Sequence, residues 1–314
     1  MIDRRTVLSG LLVAGSLAML SCSKPAPSDV QKEPESAASS TGVVTTFYPT
    51  QYWAERIAGG KVEVRCFLPD DEDPASWRPD RSAMEAMQSA SLIIVNGASF
   101  EEWVGTAPLP RSRIVDTTAR LTSPLIVHAN AVTHSHGPGG EHSHEGIDGH
   151  TWLDPINAIE QSQAILEAMV DTWPEHDAEF RRNAGELRRD LIELNASLES
   201  LASKMASVII VASHPSYNYI GRRYGWEVIN LGIEPDDVLT SHDWEHVEED
   251  LAATSDKHLI VLWEDEPSEA NARGFAQRFG ARSVVFRPCE SRPERGDYLS
   301  VMRENIEALA QVLE

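Results

Sequence analysis

Phe180-Arg181-Arg182-Asn183-Ala184-Gly185-Glu186-Leu187-Arg188-Arg189-Asp190-Leu191-Ile192-Glu193-Leu194-Asn195-Ala196-Ser197-Leu198-Glu199-Ser200-Leu201 is the stretch that decides how this chain is built. Phe180, Ala184, Leu187, Leu191, Leu194, Leu198 and Leu201 recur at alternating spacings of four and three, so a helix would carry them along one side. The pattern predicts a helix from about Glu175 to Ser203, spanning roughly 40 Å at 1.5 Å per residue. Such a seam can pair with a second copy as a coiled coil, or serve as a backbone against which parts of the same chain pack. Globular sequence on both sides favours the second.

Both flanks alternate strand and helix. On the N-terminal side Val43–Phe47, Val62–Leu68 and Leu92–Val95 read as strands, with helices over 51–58, 80–89 and 156–171. On the C-terminal side Val208–Val211, Glu227–Asn230, His258–Trp263 and Ser283–Phe286 read as strands, with helices over 216–224, 243–254, 268–279 and 297–313. Continuous apolar runs such as Leu92-Ile93-Ile94-Val95 suit parallel strands covered on both faces. The expected fold is α/β: two lobes with mostly parallel sheets, residues 43–174 and 206–314, joined by one long rigid helix over 175–205.

The N-terminus reads as an export signal. Arg4-Arg5 precede a mostly apolar stretch, Val7 to Leu20, that ends at Ser21-Cys22 and is too short to span a bilayer comfortably. Residues 1–22 look like a bacterial lipoprotein signal with Cys22 as the acylated residue, although Arg4-Arg5-Thr6-Val7-Leu8 also resembles a twin-arginine signal. Residues 23–42, rich in Ser, Pro, Ala, Lys and Glu, read as a disordered tether. The mature protein is therefore expected in the cell envelope, on the extracytoplasmic side, held to the membrane by lipid alone. A formal net charge of -22 argues against nucleic acid as a partner and suits a protein that attracts cations. Cys66, on a strand face with Val62 and Val64, reads as a buried core thiol. Cys289 lies closer to the residues of interest below.

Of the eleven histidines, His128, His134, His136, His142, His144 and His150 fall within one segment, 128–150, otherwise rich in Gly, Ser, Glu and Pro. Neutral imidazole binds zinc, copper and nickel, and a supple loop would let several rings converge, so His134, His136, His142 and His144 are possible loop contacts to a metal. Open α/β sheets present ligands beyond the carboxyl ends of their strands. His214 follows Val208–Val211, Glu264 follows His258–Trp263, and His150 precedes Trp152-Leu153-Asp154-Pro155 at the start of a helix. Two imidazoles and a carboxylate suit zinc or manganese, with Asp148 placed to orient a ring.

Val43-Val44-Thr45-Thr46-Phe47-Tyr48-Pro49, Gly149-His150-Thr151-Trp152-Leu153-Asp154-Pro155, Ser213-His214-Pro215-Ser216-Tyr217-Asn218-Tyr219, Arg223-Tyr224-Gly225-Trp226 and Asp297-Tyr298-Leu299-Ser300-Val301-Met302-Arg303 occur in that order along the chain. Together they resemble the zinc/manganese ABC-transporter substrate-binding protein family. The resemblance implies two lobes on a rigid helix, one metal ion in the cleft between them, and no catalysis. It also implies delivery of zinc, as transported ligand, to an ABC permease and its ATPase. His150, His214 and Glu264 match family ligand positions. Two positions depart: Asp73-Pro74 is followed by Ala75, where the family has a histidine, and Arg287 stands at an alternative aspartate position. A loop histidine could complete the shell, water could fill it, or Arg287 could pair with Glu264 and turn the site toward a metal chelate or small anion. A zinc hydrolase, built on the same donors with an open position, is the competing class of function. Histidine capture of metal should fade below about pH 6.5, as imidazole protonates.

Overall fold

The structure, a computed structural model, describes residues 42–69, 72–135, 141–254 and 257–314, with 128–145 described by backbone alone. The signal, most of the tether and Cys22 lie outside the described residues. Strands β1 (Val43–Thr45), β2 (Val64–Cys66), β3 (Leu92–Val95) and β4 (Ile114–Asp116) form one all-parallel sheet in the order β2-β1-β3-β4. Helices α1 (Tyr48–Ala58), α2 (Arg81–Ser89) and α3 (Pro155–Thr172) accompany it. Downstream of the long helix, β7 (Val208–Ala212), β8 (Glu227–Asn230), β9 (His258–Trp263) and β10 (Arg282–Val285) form a second all-parallel sheet, ordered β10-β9-β7-β8. Counted within its own lobe, each sheet has its second strand outside its first. The strand order therefore reverses between β1 and β3 in one lobe and between β7 and β9 in the other, where α/β sheets hold ligands.

The long helix is α4 (Asp177–Ser200), preceded by a 3-10 turn at Pro174–His176 and followed by the short α5 (Ala202–Met205). Its seam is buried within the chain: Phe180, Leu187, Leu191, Leu194, Leu198 and Leu201 are covered, and only Ala184 is partly open. The cover comes from α1, α3 and the last helix, α9 (Tyr298–Val312). The coiled-coil alternative is thereby excluded, because the seam's apolar area is already enclosed inside one molecule. Each fully buried leucine contributes about 2 kcal/mol of transfer free energy.

Strand alternation sorts the core. Val43 and Ile94 on the first sheet and Ile210 and Leu262 on the second face a single cluster that also holds the α4 seam. The opposite faces make separate outer layers. Val44, Ile93 and Val95 pack with Trp77, Met87 and Trp103, while Ile209, Val211 and Val261 pack with Trp244, Val247 and Phe275 from α7 (Ser241–Asp250) and α8 (Glu269–Phe279). Residues Ser40–Glu314 accordingly form one compact unit. Among the described residues no helix is long and apolar enough to cross a membrane.

Two expectations need correction. The His-rich segment is not a plain loop: β5 (Val127–Ser135) and β6 (Glu141–Ile147) pair antiparallel, with His134 opposite His142 and Val132 opposite His144. His136 lies outside the described residues, as do the side chains of His134, His142 and His144. Cys66 is half-buried rather than buried, because β2 is an edge strand.

Candidate metal centre

His150 sits at the end of a tightly specified loop. Gly149 precedes it because a β-carbon there would meet the Phe100 side chain at 2.8 Å. A 3-10 turn, Thr151–Leu153, then leads into α3, whose N-terminus is capped by Asp154 accepting from the Ile156 amide at 2.9 Å. Arg223, on α6 (Asn218–Tyr224), grips the Asp154 carboxylate through Nε at 3.0 and 2.8 Å and Nη2 at 2.7 Å. The arginine of one lobe thus anchors the histidine loop of the other.

Asp148 orients the His150 ring. Its Oδ1 accepts from the His150 backbone amide and from Nδ1, both at 2.9 Å, and its Oδ2 accepts from Asn218 Nδ2 at 2.9 Å. The Tyr219 hydroxyl donates to the Asp148 carbonyl at 2.8 Å. With Nδ1 committed, Nε2 is the nitrogen presented to the cleft, where Glu290 Oε1 stands 3.8 Å away. Burial opposes charging His150, but the Asp148 hydrogen bond and the charges of Asp148, Glu290 and Glu264 outweigh it and raise its pKa above the ordinary imidazole value. For Asp148, burial pushes the other way, yet His150 and Asn218 hold its carboxyl below the usual aspartate value.

His214 follows β7, where the strand run ends in Ser213-His214-Pro215. The Ser213 amide donates to the Leu262 carbonyl at 3.0 Å, keeping the turn beside β9. Glu264 leaves the end of β9, and its Oε1 lies 3.7 Å from His214 Nδ1. The His150 and His214 rings meet edge-on with centroids 5.4 Å apart. Both are nearly inaccessible, at 3% and 6% exposed.

Four groups therefore lie in two close pairs, His150 with Glu290 and His214 with Glu264, joined by the contact of the two rings. Donors bound to a single tetrahedral zinc lie about 3.4 Å apart. The two pairs are slightly wider than that edge. Among the described residues no three such side chains already close into a finished coordination shell. The two glutamates are less buried than the rings, at 24% and 19% side-chain exposure against 3% and 7%.

Glu290 is the residue that reading the sequence passed over. It comes after β10 in Phe286-Arg287-Pro288-Cys289-Glu290, and Cys289 adopts a left-handed backbone, φ 63°, that turns the chain at this point. Neighbours from both lobes hold the turn: Trp152 Nε1 donates to the Pro288 carbonyl at 2.9 Å, the Tyr217 hydroxyl to the Phe286 carbonyl at 2.7 Å, and the Tyr48 amide to the Glu290 carbonyl at 3.1 Å. A carboxylate after a strand end and a Pro-Cys turn is the signal that could have pointed to it.

Arg287 turns to Asp265. Its Nη2 lies 3.6 Å from Asp265 Oδ1, at the rim of a cleft of about 300 Å³ whose lining includes Glu264, Asp265, Arg287 and Glu290. Burial, with Asp297 and Glu290 nearby, pushes the Cys289 thiol up to about 12 in the metal-free protein. Ala75 packs on the apolar core and offers no donor.

Residues 43–312 match the family described as zinc-uptake complex component A, periplasmic. The zinc-binding lipoprotein AdcA of Streptococcus pneumoniae is 25% identical over 286 residues, covering 86% of this chain and 55% of that protein. The chain thus spans about half the length of these streptococcal relatives. The high-affinity zinc uptake system protein ZnuA of Bacillus subtilis is 24% identical over 292 residues, covering 86% of this chain and 87% of its own length. Among solved structures, Zn(II)-bound AdcA from Streptococcus pneumoniae superposes with a TM-score of 0.72 at 23% identity, over 86% of this chain and 57% of that one. The metal-dependent lipoprotein YcdH from Bacillus subtilis gives 0.71 at 22% identity, over 86% and 97%. With the match running through both sheets and the helix between them, the chain belongs to the family of periplasmic A components of zinc-uptake complexes.

Proposed function

We propose that this protein is an extracytoplasmic receptor that captures a divalent cation, zinc, between its lobes and hands it to an ABC permease driven by its ATPase. The observation that carries the reading is one buried histidine from each lobe, His150 and His214, facing across the cleft with Glu264 and Glu290 beside them. His150 Nε2, His214 and the two carboxylates are the proposed ligands. Glu290 supplies the fourth donor that Ala75 and Arg287 do not. Two imidazoles and two carboxylates neutralise and desolvate a divalent ion without any group being asked to react. The zinc named for the relatives supports zinc over manganese, which the same donors would accept.

Residues 43–174 and 206–314 are the proposed lobes, with 175–205 as the strut. Attachment to the membrane would run through acylated Cys22, with 23–42 as the tether. Metal would be held without chemistry performed on it, and an anion-binding role for Arg287 is disfavoured by its pairing with Asp265.

The test is a zinc titration of the full chain against His150→Ala, His214→Ala and Glu290→Gln, with folding checked by circular dichroism. One tight zinc equivalent that each variant weakens supports the reading. Equal affinity in all four proteins would overturn it.

A further inference from the structure

On α7, remote in sequence from these ligands, the chain reads His242-Asp243-Trp244-Glu245-His246. Two histidines four apart share one side of a helix, the spacing by which helices hold zinc. Here the geometry is specific. His242 Nε2 and His246 Nε2 face each other at 3.3 Å, close to the separation of about 3.4 Å for two donors on one tetrahedral zinc. The opposite ring nitrogens face carboxylates: His242 Nδ1 lies 3.7 Å from Glu245 Oε2, and His246 Nδ1 lies 3.8 Å from Glu249 Oε2. Each imidazole therefore has a carboxylate near its outer nitrogen, at ion-pair and not hydrogen-bond distance, while its remaining nitrogen points at a shared position.

The helix is a firm support. Thr240 and Asp243 close a capping box at its start, and Trp244 anchors it by packing edge-on against Phe275 with ring centroids 5.0 Å apart. Both histidine side chains are open to solvent, at 75% and 61% exposed. Beside His246 opens a cleft of about 560 Å³ with Glu234, Asp237, Asp243 and Asp250 in its wall. That carboxylate field raises the local concentration of cations.

We propose that His242 and His246 form a second, surface site for a divalent transition-metal ion, distinct from the interlobe cleft. Two imidazole nitrogens select zinc, copper or nickel over magnesium and calcium. Water or an adjacent flexible carboxylate completes the shell, so the site exchanges its ion readily.

Full-length wild type and His242→Ala/His246→Ala are titrated with zinc at neutral pH against a chromophoric chelator, with His214→Ala alongside. Whatever else in the chain takes zinc is common to all three proteins. The double variant should bind one zinc fewer than wild type and keep the tight site, whereas His214→Ala should lose the tight site and keep this one. Glu245→Gln, which removes a charge near His242 but no ligand, should weaken the surface site less than the double alanine variant does. Zinc-soaked crystals should show an anomalous peak between the two Nε2 atoms. An unchanged zinc count in the double variant, or no peak between the rings, overturns the proposal. Neither result touches the cleft, which His214→Ala reports separately.

Discussion

Replacing Asp148 by asparagine tests the linkage between orientation, protonation and metal capture. The change keeps the shape of the side chain. Its oxygen can still accept from the His150 amide and Nδ1, which lie at 2.9 Å each in the parent. The new amide nitrogen, however, faces Asn218 Nδ2, which donates to Oδ2 at 2.9 Å in the parent. A buried donor set against a donor costs about 1–3 kcal/mol of stability. The lost charge should also weaken zinc binding by about 10- to 100-fold, the usual effect of altering a carboxylate behind a metal-bound histidine, or about 1.4–2.7 kcal/mol.

The pH behaviour follows from the signs. His150 has a raised pKa in the folded, metal-free protein, so its stabilising contribution is complete below about pH 6.5 and disappears as pH rises through the folded value. Asp148 is shifted down, so its contribution is present above about pH 4 and is lost as pH falls through its folded value. Zinc must expel the His150 proton, and its affinity should fall by about tenfold per pH unit below the raised value. In Asp148→Asn the inflection should move to lower pH. Chelator competition across the pH range, normalised to folded protein by circular dichroism, measures both effects. An Asp148→Asn protein with parental zinc affinity and an unmoved inflection would refute the assignment of Asp148 as the residue that sets the His150 ring.

Glu290→Gln should lower zinc affinity by at least about tenfold in the same competition assay, because it replaces a charged donor with a weak neutral one, while Arg287→Ala should leave it nearly unchanged. Leu191→Ala, a fully buried seam position, should cost about 2–5 kcal/mol in chemical denaturation, read as a lower midpoint with the slope preserved. Gly149→Ala drives a β-carbon against Phe100 and should displace His150, giving a destabilised protein whose zinc affinity also drops. A crystal structure with an unmoved ring would contradict that account.

The sequence carried the architecture where physics repeats. The α4 seam, the apolar runs of β7 and β9 and the turns after them are periodic or continuous, so His214, Glu264 and the strut were legible. His150 was legible because its loop runs straight into a capped helix. The rest failed for local reasons. Ile114-Val115-Asp116 is too short a strand to stand out beside Arg111 and Arg113, and only its pairing with β3 makes it one. In the β5–β6 ribbon the strand formers Val127, Val132 and Thr133 are scattered among His, Ala and Asn, and β6 is mostly His, Glu, Ser and Gly, so neither strand shows a continuous or alternating apolar run. Glu290 escaped because its placement depends on the backbone of Cys289 and on contacts from distant residues.

The inner faces of both sheets lean on the same row of side chains along α4. Neither half can therefore shield its own oily underside if severed from the strut. Heating should melt the two together in one calorimetric peak, and a chain cut within α4 should yield two fragments that each clump unless they are refolded side by side.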